Sequence, residues 1–144
     1  MDHLAIMRKS WGLIGKILTA EKTIESRWYK FKRDPWNKIK QGDTVYFKDS
    51  GEPVTIKAGV SEVIQRQNLT SEKVRQILEE FRERVGIEEK DLENYCQLFK
   101  DKKYCILVFL KNPEKVEPFH VSKKGYGLMS AWITIDDINK LRKS

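Results

Sequence analysis

The run Tyr104-Cys105-Ile106-Leu107-Val108-Phe109-Leu110 constrains this chain more than any other feature. It is far too short for a membrane helix, which needs about 20 apolar residues. It also lacks the polar positions that mark the outer face of a surface helix. A strand buried on both faces satisfies it. The rest of the chain therefore has to supply a covering layer on each side.

The segments before the run read as helices. Val74, Ile77, Leu78, Phe81 and Val85 recur at helical spacing, with Thr70 or Ser71 as the N-cap and Gly86 as the stop. A second helix follows over Leu92, Tyr95, Cys96 and Phe99. The first half of the chain is richer in strands. Leu4–Met7, Thr23–Tyr29, Thr44–Phe47 and Val54–Ile64 have strand character, with Gly59 marking a bulge. A short helix over Trp11, Ile14, Ile17 and Leu18, capped by Ser10, separates the first two. Asp34-Pro35-Trp36 has the pattern of a capped helical turn, with proline at its first position. After the apolar run come a loop containing Pro113 and Pro118, a basic glycine-punctuated loop at Lys123–Gly127, a strand at Ala131–Ile135, and a last helical turn capped by Asp136. Regular β-α-β alternation is missing, which disfavours a doubly wound sheet. The expected class is α+β: a compact, mostly antiparallel sheet or barrel in one domain over 1–144, with helices packed outside.

Charge narrows the function classes. The formal net charge is +7, which favours polyanionic partners. Lys22, Arg27, Lys30, Lys32, Arg33, Lys38 and Lys40 crowd one sector that holds only Glu25 and Asp34 as acids, whereas Glu72–Asp101 is acid-rich. There is no transmembrane run, and the start of the sequence lacks the pattern of a signal peptide, so a cytoplasmic location and no membrane partner are expected. Cys96 and Cys105 match no zinc spacing, and His3 and His120 lie far from them. No metal and no cofactor is expected, and both thiols are read as reduced and partly buried.

The chemistry concentrates in Ala20-Glu21-Lys22-Thr23-Ile24-Glu25-Ser26-Arg27. Along a strand Thr23, Glu25 and Arg27 share one face, and Lys22 sits at its mouth. Such a cluster beside apolar elements forms a cleft with shifted pKa values, or else a solvated set of surface ion pairs. Downstream, Trp28, Tyr29, Phe31 and Trp36 interleave with Arg27, Lys30, Lys32, Arg33 and Lys38, the pattern of base stacking with phosphate contacts. The plainer reading puts about half of these aromatics in the core.

The segment Ala20-x-Lys22-x-x-Glu25-x-Arg27 resembles Gly-x-Lys-x-x-Glu-x-Arg, the signature of the ASCH domain, a branch of the PUA-like superfamily. Lys40-x-Gly42-Asp43-x-Val45, the Ser122–Gly127 loop and Ala131-Trp132 are similar to other parts of that family. The resemblance covers nearly the whole chain, with a helical insert at about 70–101, and it departs at Ala20, where the signature has glycine. It implies a PUA-like small mixed or antiparallel β-barrel with a cleft lined by the motif, in a family that binds RNA or acts on nucleotides. Some members are amidohydrolases of acylated cytidine in which the motif lysine is catalytic, and others are ribonucleases. Lys22 matches that lysine, but the assisting threonine falls where this chain has Glu25, so the amidohydrolase activity does not carry over.

The expected ligand is thus RNA or a nucleotide, held by Lys22, Thr23, Glu25, Arg27, Lys30, Lys32, Arg33, Lys123, Lys124, Tyr126 and Trp132. The alternative is an enzyme on RNA or modified nucleosides, with Lys22 and Glu25 as its catalytic pair. A third reading makes the helices at 70–101 a docking face for a protein partner, which requires an exposed apolar patch there.

Overall fold

The computed structural model describes residues 1–127 and 129–143. Its strands are β1 (Asp2–Met7), β2 (Ile24–Tyr29), β3 (Thr44–Asp49), β4 (Val54–Arg66), β5 (Tyr104–Phe119) and β6 (Trp132–Ile135). The helices are α1 (Leu13–Leu18), α2 (Ser71–Val85) and α3 (Leu92–Phe99). The strands form one mixed sheet in the order β2-β5-β4-β3-β1-β6. β1 and β3 run parallel and every other neighbouring pair runs antiparallel. Register shifts along the β4–β5 ladder, one of them between Lys57 and Gly59, add local twist. The sheet curls into a half-barrel.

The apolar run occupies the start of β5 and divides by alternation. Ile106 and Val108 join Ala5, Phe47, Ile56, Val60 and Trp132 in the core inside the curl, where α1 also packs. Cys105, Leu107 and Phe109 face the other way, into a second core with Ile24, Trp28, Val74, Leu78 and Cys96. The apolar stripe of α2 thus covers the outer face of β2 and β5. Both cysteines are free thiols, and burial pushes the Cys105 thiol well above its ordinary range. A third cluster of Leu4, Val54, Phe119, Ile133, Ile138 and Leu141 closes the far end.

Several local expectations change. Gly12 adopts a left-handed conformation (φ 62) and caps α1 itself, which leaves Ser10 inside a preceding 3-10 turn. Asp34-Pro35 is a cis peptide within a turn, not a helix start. Asp137, whose side chain accepts from Asn139 N, caps the last turn in place of Asp136, which pairs with Lys140 at 2.7 Å. The segment with Pro113 and Pro118 is no loop: β5 runs through it to Phe119. Beyond Phe109 this strand no longer has β2 beside it and pairs with β4 alone. A residue without an N–H is tolerated where one edge is open. Elsewhere the pattern holds: Thr70 caps α2 through Lys73 N, and Gly86 ends it at φ 91.

Leu107→Ala should lower the unfolding free energy by about 2–5 kcal/mol, because the site is sealed between β5 and α2 and cannot collapse freely. Urea unfolding checks this: the midpoint should fall with an unchanged slope. A loss well under 1 kcal/mol would contradict the burial described.

Candidate functional site

β2 and β6 are the two edges of the curled sheet. Among the described residues no backbone ladder joins them, and the motif residues sit at this open seam. Period-two alternation turns Ile24 and Trp28 toward the helices and sends Glu25, Arg27 and Tyr29 the other way. Lys22 lies at the end of β2, beside the C-terminus of α2.

Lys22 is almost fully buried at 2% exposure, and so is Glu25 at 4%. Lys22 Nζ donates to the carbonyls of Ile24 and Val85, each at 2.6 Å, and lies 3.2 Å from Glu25 Oε1. Its three hydrogens therefore meet three acceptors, and one of these is a carbonyl at the negative end of the α2 dipole. The stem of the lysine passes against Gly86, where an added Cβ would sit 3.3 Å from Lys22 Cβ. Glycine at that position serves both the left-handed helix stop and the passage of the side chain.

Arg27 holds the other side of the carboxylate. Its Nε and Nη2 donate to Glu25 Oε2 at 3.1 and 2.8 Å. Nη2 also reaches the Ile6 carbonyl at 3.3 Å, and Nη1 reaches the Ala131 carbonyl at 3.2 Å. The guanidinium lies 5.1 Å from the ring centroid of Trp132. One side chain of β2 is thus bonded to the end of β1 and the entry to β6, and it pins the seam that the sheet leaves open.

Burial alone would raise the Glu25 carboxyl, but Lys22 and Arg27 together outweigh it and hold the group below its ordinary value of 4.5. Burial pulls the Lys22 ammonium down, against the attraction of Glu25. The tight three-acceptor cage argues for the charged amine, since a neutral one would turn a lone pair toward an oxygen.

Two hollows flank Arg27. A cavity of about 240 Å³ is lined by Met7, Trp11, Lys22, Glu25, Tyr95 and Phe99, so α3 and the start of α1 supply its apolar walls. A wider hollow of about 390 Å³ is lined by Tyr29, Arg33, Tyr126, Met129, Ser130 and Trp132. In the second, Tyr126 and Met129 are large side chains left 45% and 94% exposed, and Phe31, in the chain between Tyr29 and Arg33 of the lining, is 76% exposed. Burial raises the Tyr29 phenol above its ordinary value, and Arg27 beside it partly opposes that.

The predicted residues separate into groups. Lys22, Glu25 and Arg27 meet in one cluster. Arg33, Tyr126 and Trp132 meet around the wider hollow, and Lys30 and Lys32 are exposed in the segment that precedes Arg33. Lys123 and Lys124 line a neighbouring hollow with Lys143, and that hollow shares Gly127 with the wider one. Thr23 lies apart: its Oγ1 accepts from Arg84 Nε at 3.1 Å, and its N–H donates to the Arg84 carbonyl, so it ties β2 to α2. Of the interleaved aromatics, Trp28 is buried and stacked on Phe99 at 4.9 Å, Trp36 is half-buried, and Phe31 is exposed. Tyr29, one of the aromatics interleaved with the cations, lines the wider hollow, and its place two residues beyond Arg27 on one strand face carried that signal. Sequence reasoning missed Trp11, Tyr95 and Phe99 because they reach the cavity only through tertiary packing. Among the described residues no group of three or more His, Cys, Asp or Glu is arranged to hold a metal ion.

Ala20, the departure from the motif's glycine, is exposed and left-handed at φ 64. A Cβ in that region costs roughly 1 kcal/mol. Ala20→Gly should therefore raise stability by about 0.5–1 kcal/mol in urea unfolding, and a decrease would contradict the assigned backbone.

Lys22→Met keeps the stem but leaves the Glu25 carboxylate buried with a single cation, and should cost about 3 kcal/mol or more. The folded Glu25 value lies below the unfolded one. Its stabilisation is therefore complete above the unfolded pKa and is lost as pH falls through the folded value. With Lys22 gone, burial acts with less opposition, and the acid limb of the stability curve should move to higher pH. An unmoved limb in pH-dependent unfolding would show that Lys22 does not hold the carboxylate.

No protein-family model matches the sequence, and no curated protein matches it. Solved structures do. The ASCH protein from Zymomonas mobilis superposes with a TM-score of 0.67 at 12% identity, over 99% of this chain and 96% of that one. A tyrosine-to-phenylalanine variant of the same protein gives 0.68 at 12% identity over 99% of both chains. A protein described only as hypothetical gives 0.52 at 21% identity, over 81% of this chain and 100% of its own. Taken with the curled six-stranded sheet and its outer helices, these superpositions show that the chain has the ASCH/PUA-like α+β fold.

Proposed function

We propose that this chain is an ASCH-family domain that binds single-stranded RNA or a nucleotide along the seam between β2 and β6. One observation carries the reading. The wider hollow gathers Tyr29, Tyr126 and Met129 beside Arg33, the exposed Lys30, Phe31 and Lys32 lie in the chain between Tyr29 and Arg33 of its lining, and Lys124 lines the hollow next to it. Exposed stacking surfaces interleaved with cations suit a ligand that presents flat bases on a phosphate chain. The net charge of +7 supports the approach of such a polyanion.

Binding is favoured over turnover by the state of the motif. Lys22 has each of its hydrogens on a protein acceptor, so it offers neither a free lone pair nor a free donor to a substrate. Glu25 is held ionised between two cations and is a poor general acid. The cluster reads as a rigid frame, and the ligand contacts fall to the groups on its rim. The helices at 70–101 do not favour a docking face, because Val74, Leu78, Val85 and Cys96 are spent on the sheet and Leu98 is their large exposed apolar residue. Among the described residues no helix is long and apolar enough to cross a membrane.

The test is titration with RNA oligonucleotides over a range of salt. Log affinity should fall linearly with log salt. Lys30→Ala, Lys32→Ala and Arg33→Ala combined should reduce the slope by about two units, at roughly 0.7 for each phosphate left without its cation. An unchanged slope would remove the basic rim from the interface. Cleavage of RNA or deacylation of a nucleoside by the wild type, abolished in Lys22→Met, would replace the binding reading with a catalytic one.

A further inference from the structure

Behind the seam lies a polar chain separate from the rim groups. His3 is completely buried in β1. Its Nε2 lies 2.8 Å from Asp43 Oδ2, and its Nδ1 lies 3.1 Å from Trp132 Nε1 and 3.1 Å from Thr134 Oγ1. The Trp132 indole nitrogen can only donate, so Nδ1 has to accept, and the proton belongs on Nε2, where the Asp43 carboxylate receives it. Asp43 is itself fixed in its turn, since Oδ2 also accepts from Lys40 N at 3.0 Å. The far face of this arrangement is functional ground: the Trp132 ring lines the wider hollow and carries the Arg27 guanidinium 5.1 Å from its centroid.

We propose that His3 is a positioning residue for the seam cleft. As its Nε2–H tautomer, anchored by Asp43, it latches the indole of Trp132 and thereby fixes the ring that lies against the Arg27 guanidinium and borders the wider hollow, where a phosphate-bearing ligand meets the rim groups. A proton added to Nδ1 turns a donor against the indole N–H and breaks the latch, leaving Thr134 Oγ1 as the acceptor that remains. Burial disfavours that proton and holds His3 below its ordinary 6.5, although Asp43 opposes the shift. The other charged groups that bear on the ring are Asp2 on its own strand and the amino group of Met1, which lies 3.3 Å from Asp43. Stability therefore falls as pH drops below 6.5, where the unfolded chain takes up the proton first, and the latch in the folded chain opens only when pH reaches the lower value of the buried ring.

The experiment has a ligand-free arm and a ligand arm, and only the second rests on the reading of the cleft as an RNA or nucleotide site. In the ligand-free arm, nitrogen NMR of the full chain from neutral to mildly acidic pH reads the His3 tautomer, the Trp132 indole N–H and the Arg27 Nε–H. The expected result is an Nε2–H imidazole, with all three signals moving together as His3 titrates. In the ligand arm, affinity for an RNA oligonucleotide should fall severalfold across that titration. His3→Leu should weaken binding about tenfold at neutral pH. His3→Gln, which donates to Asp43 and accepts from Trp132 but does not titrate, should recover most of the affinity and abolish the pH step. An Nδ1–H tautomer, an indole signal indifferent to His3, or a pH step that survives in His3→Gln would overturn the proposal. If no oligonucleotide binds at any pH, the RNA reading fails, and the ligand-free signals still decide the latch.

Discussion

A carboxylate buried between two cations organises this molecule. Glu25 meets Lys22 on one oxygen and Arg27 on the other, and each cation also donates to two backbone carbonyls. Lys22 fastens the end of α2 through Val85. Arg27 fastens the end of β1 through Ile6 and the start of β6 through Ala131. A buried ion pair of this kind is weak evidence for net stability, because desolvation offsets much of the attraction. Its value here is geometric: three elements that no ladder ties to β2 converge on one charged group of that strand.

That convergence matters because the sheet does not close. The start of β5, Cys105 to Phe109, is covered on both faces, inside by the half-barrel core and outside by α2 and α3, and the strength of the fold lies there. Among the described residues the seam between β2 and β6 has no equivalent ladder. An open seam exposes edge backbone and leaves room for a ligand, while the Arg27 bridge keeps it from splaying. The polar cluster and the two hollows beside it are therefore one feature: the frame holds open the space it borders. Trp132 joins the frame to the second polar chain through Asp43 and His3, so the floor of the wider hollow is fixed from behind as well as from above.

Much of this was legible in the sequence, for identifiable reasons. The apolar run at 104–110 announced a strand covered on both faces, and the spacing of Val74, Leu78 and Val85 announced the helix that covers one of them. Strand periodicity placed Glu25 and Arg27 on one face, and the motif drew Lys22 to them. What escaped was non-local. Strand pairing that persists through Pro113 and Pro118 depends on β4 alone being the neighbour there, which no local pattern records. Thr23 shared a predicted face with Glu25 but was captured by Arg84 at the end of α2. Sequence spacing suggested that Lys22 would anchor a ligand, whereas one of its hydrogens is already taken by the Val85 carbonyl, distant in the chain. His3 read as an isolated histidine because its partners Asp43, Trp132 and Thr134 are brought to it by β1 pairing with β3 and β6.

Photo-crosslinking of a thiouridine-bearing RNA oligonucleotide, followed by peptide mapping, tests most directly whether ligand lies along the seam and meets the groups on its rim. Crosslinks should fall in 28–36 and 124–132, the two segments that bring Tyr29, Arg33, Tyr126 and Trp132 to the wider hollow, and they should weaken as salt rises. Crosslinks confined to the exposed faces of α2 and α3, or none at low salt, would contradict it.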